Sequence, residues 1–129
     1  MKKLKVGIAG FGVVGNRRKD YIVLNSNLEL VAVCDQKFTS EGILDDGVVT
    51  FQDYRSLLKQ DVDIIFVCMS NDMAAEVTIA SLEAGKHVFC EKPPARSLEE
   101  MHTVIEAENE NPHLKLMYGF HHRYHDSVK

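Results

Sequence analysis

The chain has 129 residues, 45% apolar and 26% charged, with a formal net charge of −4. That is enough for one globular domain with a real core and too little for two ordinary ones. Slight acidity and a lone short basic cluster, Arg17-Arg18-Lys19, argue against a nucleic-acid or membrane-surface role. No apolar run reaches the ~18 residues of a spanning helix. Glycines and then charges interrupt the apolar stretch after the N-terminal lysines (MKKLKVGIAG), so this reads as mature sequence rather than a signal peptide.

In chain order, LKVGIAG (4–10) predicts a first strand and residues 13–25 a helix. LELVAVCD (28–35) predicts a second strand. Residues 36–47 are weakly patterned, so the connection there is expected to be short or irregular. VVTF (48–51) is a third strand, followed by a turn or two of helix from Tyr54 to Lys59 and a fourth strand in DIIFVCM (63–69). Residues 72–84 carry Met73, Val77, Ala80, Leu82 and Ala84 at helical spacing, with Gly85 in the stop position. HVFCE (87–91) is a fifth strand. Ser97-Leu98-Glu99-Glu100 forms an S-x-x-E capping box for a helix running to about Glu108, closed by Asn111-Pro112. LKLMYGF (114–120) is the last strand. Nearly continuous apolar runs suit strands covered on both faces. The alternation predicts an α/β fold: a Rossmann-type, doubly wound parallel sheet of about six strands with helices on both faces.

Cys34, Cys68 and Cys90 are odd in number, form no C-x-x-C pair and sit at or near strand ends. They are expected to be free thiols acting as small hydrophobes in a reduced, cytoplasmic setting.

The first strand runs into Gly10-Phe11-Gly12-Val13-Val14-Gly15. G-x-G-x-x-G alone is weak evidence, but here it follows a strand, opens a helix and lies in a strand-helix-strand unit. Gly10 then permits the tight turn, Gly12 the approach of a pyrophosphate and Gly15 close packing. The helix N-terminus offers N–H groups and partial positive charge to phosphates. Twenty residues after Gly15, Asp35 can accept hydrogen bonds from both hydroxyls of an adenosine ribose, with Gln36 beside it. Asp35 would repel a 2′-phosphate, Lys37 would soften that repulsion, and no arginine follows directly. NAD is therefore expected over NADP.

Ligands of such sheets lie beyond the carboxyl ends of the strands. That places Ser70 and Asn71, after the fourth strand, and Glu91-Lys92-Pro93-Pro94, after the fifth, in the same crevice. The stretches VGIAGFGVVG, VAVCDQ, DVDIIFVCMSN, ASLEAGKHVFCEKPPA and YGFHHRYH together resemble the N-terminal domain of the Gfo/Idh/MocA oxidoreductases, the glucose-fructose oxidoreductase and inositol dehydrogenase group. Gly85 to Pro93 carries the most specific part. The resemblance implies that Lys92 lies near nicotinamide and substrate and assists catalysis. It further implies that Glu91 lies beside the nicotinamide ribose, and that Asn71 and Arg123 lie near the cofactor. Met69-Ser70 and Ala74 replace the family's frequent T-P and histidine, and Asp126 replaces a common proline.

A lysine beside a carboxylate favours its charged form, with a free-solution pKa of about 10.4. Lys92 can then donate to a hydroxyl or stabilise an alkoxide but, unless burial lowers its pKa substantially, cannot take up a proton, and the general base must be another group. The resemblance assigns the base to a histidine in a C-terminal domain. Residues 1–120 are thus expected to form the NAD-binding domain and 121–129 the start of a crossover into a substrate domain that this chain lacks. The chain would be a fragment, inactive alone. Its complete protein would be a homo-oligomer passing hydride between nicotinamide and a hydroxyl-bearing carbon of a sugar, sugar nucleotide or cyclitol. The alternatives are a non-catalytic redox-sensing module, which has no use for Lys92, and a reductase of amino-acid metabolism, which leaves E-K-P unexplained. His121, His122 and His125 invite a metal reading, but the strand-like run through Phe120 leaves little room for a helix and no acidic or thiol partner completes a set. No metal is expected.

Overall fold

The computed structural model describes residues 3–44, 46–91 and 97–119. The elements in chain order are β1 (Leu4–Ala9), α1 (Val13–Leu24), β2 (Leu28–Cys34), β3 (Gly42–Ile43), β4 (Val49–Phe51) and α2 (Tyr54–Leu58). They continue with β5 (Ile64–Val67), α3 (Asn71–Glu83), β6 (His87–Glu91), α4 (Leu98–Glu110) and β7 (Leu116–Gly119). One sheet runs in the order β3-β4-β2-β1-β5-β6-β7. Every neighbouring pair is parallel except β3 with β4. The expected six strands are all present. The seventh, β3, is a two-residue exposed edge strand in the segment that sequence patterning left irregular.

Alternation within strands divides the core into two layers. Val6 and Ile8 of β1 join Val33, Phe66 and the buried Ile22 of α1 on one side. Ala9, Cys34, Ile65, Val67 and Cys90 meet Leu57 of α2, Val77 and Leu82 of α3 and Ala107 of α4 on the other. Both sides of the sheet therefore bury apolar side chains, which is why the strands read as continuous runs.

Helix ends follow local chemistry. Ser97 Oγ accepts from the Glu100 N–H at 3.2 Å, the capping contact that its spacing predicts. Gly85 ends α3 at φ +84°. Its N–H reaches the Leu82 carbonyl and that of Lys86 the Ser81 carbonyl, the paired bonds of a Schellman stop. Among the described residues no helix is long and apolar enough to cross a membrane.

The three cysteines are unpaired, with Cys34 and Cys90 buried. Burial pushes the thiols of Cys34 and Cys68 from 9.0 up to about 12, and that of Cys90 up to about 11. The folded chain thus keeps protons that unfolded thiols lose near pH 9, so the contribution of these groups to stability is complete below that pH and declines as pH climbs toward 11–12. Iodoacetamide at pH 8.5 should label the folded cysteines at least about 100-fold more slowly than the urea-unfolded ones, because the thiolate is the nucleophile. Equal labelling rates by mass spectrometry would contradict this burial.

Candidate functional site

The sheet order reverses between β1 and β5, which parts the connections at their carboxyl ends and opens a crevice. β1 delivers Gly10 to this point. Its φ is +95°, and a Cβ there would stand 2.5 Å from the Cys68 carbonyl oxygen, so only glycine fits. The Gly10 N–H donates to the Cys34 carbonyl at 2.9 Å and ties the turn to β2. A Cβ on Gly15 would stand 2.1 Å from the Gly10 carbonyl oxygen; α1 therefore lies directly on the loop. Gly12 differs, because a Cβ there would meet nothing within 4 Å. Its missing side chain leaves open space rather than relieving a clash.

Gly12 is the N-cap of α1, with no side-chain cap and no acidic residue in the first turn. Val13 and Val14 in that turn are exposed. Free amides at the positive end of the helix can take a phosphate. Asn16 steadies the loop, its Nδ2 donating to the carbonyls of Gly12 (2.8 Å) and Phe11 (3.3 Å).

Asp35 follows β2. Its Oδ2 accepts from the Phe11 N–H at 2.6 Å and its Oδ1 from the Lys37 N–H at 3.0 Å. A carboxylate has about four acceptor positions, so both oxygens can still receive ribose hydroxyls. Asp35 therefore also shapes the glycine loop, a duty its spacing does not announce. The Lys37 ammonium donates to the Phe11 carbonyl and lies 5.1 Å and 5.6 Å from the ring centres of Phe11 and Phe38. It is turned onto the loop.

Gly10, Gly12, Asp35, Gln36 and Ser70 line one pocket together with Met69 and Met73. A neighbouring hollow shares Gln36 and the two methionines and adds Gln52 and Arg55. Ser70 is the N-cap of α3 and Asn71 its first residue, both at the carboxyl end of β5. Met69 ends the fourth predicted strand and faces the crevice as strand-end placement implies, whereas Met73 and Gln52 carry no sequence signal that marks them as site residues; Gln52 directly follows β4, where ligands of such sheets gather.

Glu91 ends β6. Its Oε2 accepts from the Arg18 Nε, which reaches across from α1. Sequence reading counted Arg18 only as part of a basic cluster. Lys92, Arg123, both prolines of E-K-P-P, and His121, His122 and His125 lie outside the described residues.

Residues 4–120 match the GFO_IDH_MocA family, described as "Oxidoreductase family, NAD-binding Rossmann fold". Inositol 2-dehydrogenase of Salmonella typhimurium is 38% identical over 129 residues, covering 94% of this chain and 38% of that protein. D-glucoside 3-dehydrogenase of Escherichia coli is 35% identical over 126 residues, covering 94% of this chain and 36% of that protein. The crystal structure of scyllo-inositol dehydrogenase from Lactobacillus casei with bound NAD(H) and scyllo-inositol superposes with a TM-score of 0.83 at 25% identity, covering 95% of this chain and 38% of that one. The chain spans less than two fifths of the length of these relatives.

The three glycines should separate experimentally. Gly15→Ala should lose at least about 2 kcal/mol in urea unfolding, since helix and loop must part. Gly12→Ala should stay within about 1 kcal/mol of the parent yet bind NADH at least about tenfold more weakly. Equal destabilisation by the two would refute the distinction.

Proposed function

The chain belongs to the Gfo/Idh/MocA oxidoreductase family, and from that membership and the crevice geometry we propose that it forms the NAD(H)-binding part of a dehydrogenase acting on a cyclitol or sugar hydroxyl. The observation that carries this reading is the gathering of the glycine loop, Asp35, Gln36 and Ser70 around one pocket at the point where strand order reverses. When bound, the nicotinamide supplies the hydride acceptor or donor for a carbinol carbon. The chain's own residues bind and orient. The α1 amides at Gly12, Val13 and Val14 take the pyrophosphate, and Asp35 accepts the adenosine ribose hydroxyls, with Phe11 and Gln36 flanking it. Ser70, Asn71, Glu91 and Arg123 are assigned to the nicotinamide side. The relatives named inositol 2-dehydrogenase and D-glucoside 3-dehydrogenase support a polyhydroxylated ring as the substrate class.

Lys92 is the catalytic residue in this reading. As an ammonium it donates a hydrogen bond to the reacting hydroxyl and stabilises negative charge developing on its oxygen. The hydroxyl proton goes to a different group, because an ammonium has no lone pair with which to accept it.

NAD is favoured over NADP on two grounds. In this reading the Asp35 carboxylate takes the ribose hydroxyls and would repel a 2′-phosphate, and the Lys37 ammonium is engaged with the Phe11 carbonyl and two aromatic rings. Calorimetric titration should give tighter binding of NADH than NADPH by about tenfold, and Asp35→Ala should bring the ratio near one. Equal affinities in the unmutated chain would count against the assignment of Asp35.

A further inference from the structure

The helix that starts at the glycine loop reaches the crevice a second time. Alternation along β6 directs Phe89 and Glu91 to the side of the sheet that α1 covers. Phe89 stacks on Phe66 of β5, with ring centres 4.9 Å apart and planes inclined by 21°. The Arg18 guanidinium lies 4.9 Å over the Phe89 ring, and its Nε donates to Glu91 Oε2. The Arg18 and Glu91 side chains are only 28% and 17% exposed.

This is a built contact rather than a loose surface pair. A planar guanidinium suits both stacking and carboxylate bonding, and the aromatic tier beneath fixes its height. An exposed pair would contribute little, whereas a carboxylate withdrawn this far from water needs its partner. The two ends of the site are also joined mechanically. Val13 and Arg18 are separated by about 7.5 Å of helix rise, so one rigid element carries both the amides facing a pyrophosphate and the cation that orients the acid at the end of β6.

We propose that Arg18 is a positioning residue for the nicotinamide half of the cofactor, holding the Glu91 carboxylate as the acceptor for the nicotinamide ribose hydroxyls. The proposal rests on the dinucleotide reading above and adds a residue to it.

Titrating the 129-residue chain with NADH and with ADP tests this, because ADP has the adenosine ribose and pyrophosphate but no nicotinamide ribose. The parent should prefer NADH. Arg18→Met, which keeps an unbranched stem over Phe89, should weaken NADH about tenfold and leave ADP within about twofold. Glu91→Gln should behave likewise, and the double variant should lose little beyond either single change, as coupled partners do. Arg18→Lys should recover part of the loss, and this variant carries the same comparison if Arg18→Met fails to fold. A parallel fall for NADH and ADP would assign Arg18 a purely structural role and overturn the proposal, as would unchanged NADH binding. A parent that binds NADH and ADP equally would overturn the nicotinamide-side placement of Glu91, and the proposal with it, while leaving the adenosine side intact. Binding of neither ligand would overturn the dinucleotide reading itself.

Discussion

Among the described glycines the tightest backbone approach is that of Gly15 to the Gly10 carbonyl, where an added side-chain carbon would stand 2.1 Å from the oxygen. Much else depends on this contact. It seats α1 on the loop, so that the helix begins at the carboxyl end of β1 and aims its unfilled amides over the crevice. It also sets how far the helix lies from the sheet. At that height Ile22 reaches the core layer of Val6, Ile8 and Val33, and Arg18 reaches Phe89 and Glu91. One backbone approach thus positions both the uncapped amide terminus of α1 and the side chain that reaches Glu91.

Asp35 is the second point of convergence. Its carboxylate holds the Phe11 amide of the loop and the Lys37 amide of its own turn. In the proposed reading the ribose acceptor and the phosphate loop are therefore held as one hydrogen-bonded unit. Preorganisation of this kind lowers the ordering cost of binding. Charge on the carboxylate strengthens the bond to the loop amide, and in the proposed reading it also disfavours a further phosphate on the ribose that Asp35 receives. The Lys37 ammonium, directed to the Phe11 carbonyl, reinforces the loop.

The fold was legible in the sequence wherever local chemistry decides it. Continuous apolar runs marked the strands because both sides of the sheet are buried, as the opposite destinations of Ile8 and Ala9 illustrate. Gly85 and Ser97 marked helix ends because the bonds they make span only a few residues. β3 was not legible: two exposed residues form a strand only because β4 offers an antiparallel partner. The glycine loop and Asp35 could be read from spacing, since a strand and a helix of ordinary length separate them. Arg18 could not, because its partner is 73 residues away and nothing local distinguishes it from Arg17. The alternation of Phe89 and Glu91 was visible, but which helix faces them depends on the topology. Lys37 was read as a modest aid to a 2′-phosphate, whereas its ammonium contacts two rings and a carbonyl.

The proposed function requires a dinucleotide to lie along the carboxyl ends of the strands, from Asp35 past the start of α1 to Glu91. Amide nitrogen–proton NMR spectra of the chain, recorded as NADH is added, address it residue by residue. The largest shifts should fall on the backbone between Gly10 and Asn16, on Asp35 and Gln36, and on Glu91. Shifts concentrated instead around the groove lined by Tyr54, Glu76, Glu83 and Glu100, where α2, α3 and α4 meet, would contradict it.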